Sequence, residues 1–180
     1  MHSALPNMGI LPGMHPPPSV DHINEFKDLD VPADVHLVVT PPSTFLHRPV
    51  PKDNHWAIFW NISRSTDGVM RRRLLQIVQE RLGDGYANHL TNWGPITTSA
   101  GGPTPESRKF FIKTMTLSER KSLEAIAQTE EVLMPDGVWN CQDWIEAVLD
   151  KAVNGGMIAA ETVADLKIKA REVIGKPFHP

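Results

Sequence analysis

"NHWAIFWNISRSTDGVMRRRLLQIVQE", residues 54–80, decides how the chain is read. Its first ten residues alternate between aromatic or branched side chains and smaller or polar ones. Period-2 alternation of this kind is the signature of a strand. His55, Ala57, Phe59 and Asn61 fall on one face, and Trp56, Ile58, Trp60 and Ile62 on the other. Asp67–Gly68 is a hairpin-turn signal. If it is a two-residue turn, Thr66 pairs with Val69 and the chain returns antiparallel. That count brings Glu80 opposite His55, with Gln76 and Val78 on the same face. Met70, Leu74, Ile77 and Val78 also fit a helical repeat, so residues 69–80 read as strand or as helix. The run Arg71–Arg73 reads as a solvated face.

Outward from this stretch, the N-terminal half is rich in strands. "DVHLVVTPPS" is a first strand, with Val35, Leu37 and Val39 on one side and Pro41–Pro42 ending it. "YANHLTNWGPI" and "RKFFIKTMT" are further strands, and "TTSAGGPTPES" between them is a loop by composition. "VDHINEFKDLD" adds at most a helical turn. Residues 1–19 carry Pro16–Pro18 and little apolar periodicity. They read as a flexible arm, or as one that lies on a partner and gives a homodimer.

The C-terminal half is helical. "TLSERKSLEAIAQTEEVL" has Thr and Ser capping candidates and an apolar stripe of Leu123, Ile126 and Ala127. "CQDWIEAVLDKAV" carries Trp144, Ile145, Val148 and Leu149 on one side and stops at Gly155–Gly156. "AAETVADLKIKAREVIG" is a last helix. The expectation is an α+β fold in which an antiparallel sheet packs against C-terminal helices. It forms one domain over residues 20–180.

Composition narrows the function classes. The chain has 180 residues and a formal net charge of −3. That balance argues against nonspecific nucleic-acid binding, which needs a basic surface to displace counterions. No stretch approaches the roughly 20 apolar residues that span a bilayer. The N-terminus lacks the basic and apolar regions of a signal peptide. The single cysteine excludes an intrachain disulfide and fits a reducing, cytoplasmic setting. No histidine spacing supports zinc, and no glycine-rich loop has the context of a nucleotide site, so neither metal nor cofactor is expected.

That cysteine lies in "GVWNCQDWIEAVL", residues 137–149, where a loop gives way to a helix. A thiolate, not a thiol, attacks a carbonyl carbon. The positive end of a helix dipole and a nearby imidazolium both favour the thiolate. Asn140 is placed to cap the helix, and the remaining first-turn amides are natural oxyanion donors. Asp143, in the same turn, would work against the thiolate unless its side chain points away. A lone cysteine is also a common buried core residue. Among the histidines, His36, His47, His55 and His89 lie outside the probable tails, and His55 opens the strongest strand.

Together, "NHWAIFWNIS", "GVWNCQDWIEAVL" and the "GGMI" that follows resemble a fungal family whose pattern is an early His-Trp strand and a late Cys-containing helix start. That pattern is similar to the circularly permuted papain-like group. The group includes the lecithin:retinol acyltransferase-like and PPPDE-type thiol enzymes and is related to the NlpC-type peptidases. The resemblance covers roughly Asp34 to Pro177. It implies a permuted papain-like fold, Cys141 as nucleophile and His55 as base. It implies attack on an amide, ester or thioester through an acyl-enzyme, giving a hydrolase or an acyltransferase. The match is poor at the third polar residue that orients the imidazole. The hairpin count offers Glu80 or Gln76, with His89 and Asn92 as fallbacks. Trp139, Trp56 and Asn140, beside the reactive pair, are the candidate contacts for a small-molecule or peptide substrate. The alternative is a non-enzymatic binding module on the same fold.

Overall fold

The computed structural model describes residues 23–42, 50–64, 68–82, 85–99, 107–133 and 137–174. Strands β1 (Ala33–Thr40), β2 (His55–Arg64), β3 (Met70–Leu75), β6 (Ile96–Ser99) and β7 (Arg108–Met115) form one antiparallel sheet in the order β6-β3-β2-β1-β7. Strands β4 (Ile77–Leu82) and β5 (Gly85–Asn92) form a separate two-stranded ribbon. Helices α1 (Leu117–Thr129), α2 (Cys141–Asn154) and α3 (Ala160–Arg171) follow. The expected α+β class, antiparallel sheet and C-terminal helices are all present. The arm over residues 1–19 lies outside the described residues, as does any pairing of copies through it.

The alternation in β2 builds the core. Trp56, Ile58 and Trp60 are fully buried, against Leu37 and Val39 of β1 and Leu75 of β3. The α2 stripe covers them: Trp144, Ile145, Val148 and Leu149 are at most 1% exposed. Each such side chain contributes about 1.5–3 kcal/mol by leaving water, which fixes α2 on the sheet. Gly156, at φ +70°, ends the helix in a conformation that costs glycine little.

Residues 70–82 are strand, but not one strand. The β2–β3 ladder pairs Arg64 with Met70 and Ile58 with Leu75, and a bulge lies between Asn61 and Ser63. A two-residue turn at 67–68 would have paired Arg64 with Arg71. The longer connection and the bulge together slip the register by two residues. The chain then leaves the sheet at Gln76 and pairs with β5, where Glu80 faces His89. Glu80 therefore does not come opposite His55. Its side chain and that of His89 lie outside what is described.

The arginine run is not a solvated face. Arg73 is 2% exposed and faces Glu124 of α1 at 3.2 Å. Arg120 of α1 is wholly buried and spends all five donors. Two pairs of atoms join it to Asp28, at 2.9 and 2.8 Å, and the rest reach the carbonyls of Leu29, Val31 and Met115. Trp60 Nε1 also donates to Asp28. This network straps residues 28–31 across α1 and β2. The segment before it makes turns rather than a helix.

Candidate functional site

Cys141 is the first residue of α2. The helix begins there because Asn140 is extended and its Oδ1 accepts from the Gln142 amide at 2.8 Å. Asp143 closes the cap by accepting from the Asn140 amide at 2.8 Å. The same carboxylate oxygen accepts from Lys52 Nζ at 2.7 Å. Asp143 is thus paired with Lys52 and held on the cap.

The helix start is fixed to the start of β2. Gln142, 4% exposed, donates from Nε2 to the carbonyls of Pro51 and Asn54 at 2.8 and 2.9 Å. Asn140 Nδ2 donates to the Lys52 carbonyl at 3.0 Å. These bonds grip the short 3₁₀ turn Pro51–Asp53 that leads into His55. The two segments, 86 positions apart in sequence, are held as one unit around the sulfur.

The partly exposed Cys141 thiol meets the β2 entry. Its Sγ lies 3.9 Å from the Asn54 carbonyl oxygen. His55, the next residue, opens β2 beside that carbonyl, and its imidazole acts on the sulfur electrostatically. Burial pushes the thiol pKa up, but the hydrogen bond and charge of His55, helped by the backbone amides of Trp56 and Cys141, bring it below the ordinary value. For His55, burial pulls the imidazole down. The Cys141 sulfur, then the Gln76 side chain, outweigh that and leave it raised. The two shifts have opposite signs, as a thiolate–imidazolium pair requires.

The third polar residue is Gln76. Its Oε1 lies 2.8 Å from His55 Nε2. An amide oxygen only accepts, so Nε2 carries the proton and Nδ1 remains to exchange one with sulfur. Gln76 reaches the ring because the chain turns out of β3 at that residue. Period-2 counting placed it on the correct face but favoured Glu80, since neither the bulge nor the strand break has a sequence signal.

The remaining candidates sit as follows. Asn92 is 1% exposed and serves the α1 end, donating to the Ala127 carbonyl at 2.9 Å. It is not at the dyad. The Trp56 side chain is fully buried in the core, so only its backbone reaches the site. The Asn140 amide caps α2 through Oδ1 and donates to the Lys52 carbonyl through Nδ2. Trp139 is partly buried against the core next to the helix start. His36 lies farther along the sheet, and His47 falls outside the described residues. No group of His, Cys, Asp and Glu among the described residues is arranged to hold a metal. No described helix is long and apolar enough to cross a membrane. No family model, curated protein or solved structure matches the chain.

Proposed function

We propose that this protein is a thiol hydrolase or acyltransferase of permuted papain-like fold, acting on an amide, ester or thioester through Cys141 and His55. The observation that carries the reading is the anchoring of the Cys141 helix start on the entry to β2, where His55 stands with Gln76 on its Nε2; the opposite pKa shifts of Cys141 and His55 agree with it. The order of the parts, a histidine strand before a cysteine helix on an antiparallel sheet, supports the fold assignment. A lone thiol that must stay reduced fits a cytoplasmic setting.

The proposed reaction runs through these groups in order. The Cys141 thiolate adds to the substrate carbonyl carbon, forming a C–S bond while the carbonyl electron pair moves to oxygen. The Cys141 amide, in the first turn of α2, is the donor we assign to that oxyanion. His55 Nδ1 gives its proton to the leaving group as the carbon–leaving-group bond breaks, and a thioester remains on Cys141. Neutral His55 then takes a proton from water or from an acceptor amine or hydroxyl, which attacks the thioester. Sulfur leaves as thiolate, and the proton on His55 restores the ion pair.

The test is capture of the acyl-enzyme. Incubated with p-nitrophenyl acetate, the wild type should release a burst of nitrophenol and carry one acetyl group on Cys141 by mass spectrometry. Cys141→Ser should show neither, and His55→Ala should acylate about 10²–10⁴-fold more slowly. A wild type that takes no acyl group would defeat the reading and leave a binding module.

A further inference from the structure

The sheet face opposite the helices begins at His55, and its β2 residues Ala57 and Phe59 are 2% and 4% exposed. His55, Ala57, Phe59 and Asn61 share that side of β2, and Gln76 meets His55 there. Across the strands, register aligns Ile96, Leu74, Phe59, His36 and Phe111 in one apolar row. His36 stacks on Phe59, with centroids 5.4 Å apart, and Phe111 meets His36 edge-on at 5.7 Å. Phe59 is covered, whereas Phe111 is 54% exposed.

Two cations converge on this row. The Arg72 guanidinium lies 5.2 Å from the Phe59 centroid, and Lys109 Nζ lies 5.6 Å from it. Arg72 also donates to Asn61 Oδ1 at 3.3 Å. Neither cation is joined to a carboxylate among the described residues. Buried Arg73 and Arg120, by contrast, each face one. Burial depresses the Arg72 pKa, as expected of a partly desolvated cation. Like charges gathered on one ring repel each other unless an anion joins them.

Distance gives the anion a place on the substrate. Four residues separate His55 from Phe59, about 13 Å at the rise of a strand. An extended peptide laid along this lane covers the same distance in about four residues. We propose that this face is the non-reacting half of the substrate site and takes an extended acidic peptide. Its reacting carbonyl lies at Cys141, a carboxylate side chain about four residues away lies between Arg72 and Lys109, and an apolar neighbour lies on Phe111. This proposal rests on the thiol-enzyme reading.

The experiment separates the two. Three reagents label the full-length protein near neutral pH: iodoacetamide, and two peptidyl chloromethyl ketones that carry Glu or Gln four residues from the reactive carbon. Cys141 displaces chloride, and intact mass gives the rate. The Glu reagent should label roughly five- to tenfold faster than the Gln reagent. The doubly substituted Arg72→Gln/Lys109→Gln protein should lose that preference. The ratio is taken within one protein, so partial unfolding of a variant cancels. Equal rates for both peptides in the wild type, or a preference that survives the double substitution, would overturn the acidic-peptide site and leave the thiol reading standing. A Cys141 inert to iodoacetamide would overturn the thiol reading itself.

Discussion

Replacing Gln76 with Ala removes the oxygen that lies 2.8 Å from His55 Nε2 and leaves the rest of the site in place. A hydrogen bond between a charged donor and a neutral acceptor is worth about 1.5–3 kcal/mol. Gln76 bonds the charged ring more strongly than the neutral one, so the imidazolium should lose its proton more readily without it. Burial, which already pulls His55 down, then acts against the sulfur alone. The pH profile of Cys141 acylation separates this from general damage. Its lower limb reports thiolate formation beside an imidazolium that is present on both sides of the step, so it should stay in place. Its upper limb reports loss of the imidazolium and should move to lower pH. Stability has a matching sign. A raised folded-state value stabilises fully below the unfolded imidazole value near 6.5, and that contribution is lost as pH rises through the folded value. Gln76→Ala should therefore lose more stability at mildly acidic than at alkaline pH. An upper limb that superimposes on the wild type would show that Gln76 does not hold the ring.

Other elements have their own tests. Asp28→Ala leaves the fully buried Arg120 without its counter-charge and should cost about 3–5 kcal/mol in denaturant melts, whereas Asp28→Leu with Arg120→Met should cost less. Ile145→Ala opens a cavity between α2 and the sheet and should cost about 2–5 kcal/mol by the same assay. Glu119 is held down to about 2 by its Lys113 hydrogen bond and then by Thr116, so its contribution to α1 is present above the ordinary carboxylate value of 4.5 and lost as pH falls toward about 2. Glu119→Gln should flatten that acid limb of the stability curve.

The parts of the fold legible in the sequence were those set by strong local periodicity. Trp56, Ile58 and Trp60 could face a core only on a strand, and Trp144, Ile145, Val148 and Leu149 only on a helix capped by Asn140. That His55 opens a strand and Cys141 a helix was legible too, because each follows a break in periodicity. What escaped was non-local. The register of β3 depends on a bulge between Asn61 and Ser63, and a bulge changes no residue type. Gln76 therefore displaced Glu80 at the ring. Arg73 looked like surface charge because its partner, Glu124, lies far away in sequence, and the burial of Arg120 against Asp28 had no local signal either. The role of Asp143 also needed the fold, since Lys52 reaches it only once the turn before β2 meets the start of α2.

The central claim is an ion pair between Cys141 and His55, and the most direct measurement is the ultraviolet absorbance of the thiolate against pH. The chain has one cysteine, so the signal comes from one sulfur. The wild type should form thiolate well below the ordinary thiol value of about 8.5. In His55→Ala, burial is left without its main opponent, and the transition should move above that value. A wild-type transition at or above the ordinary value, unchanged in His55→Ala, would contradict the account and make Cys141 a core thiol.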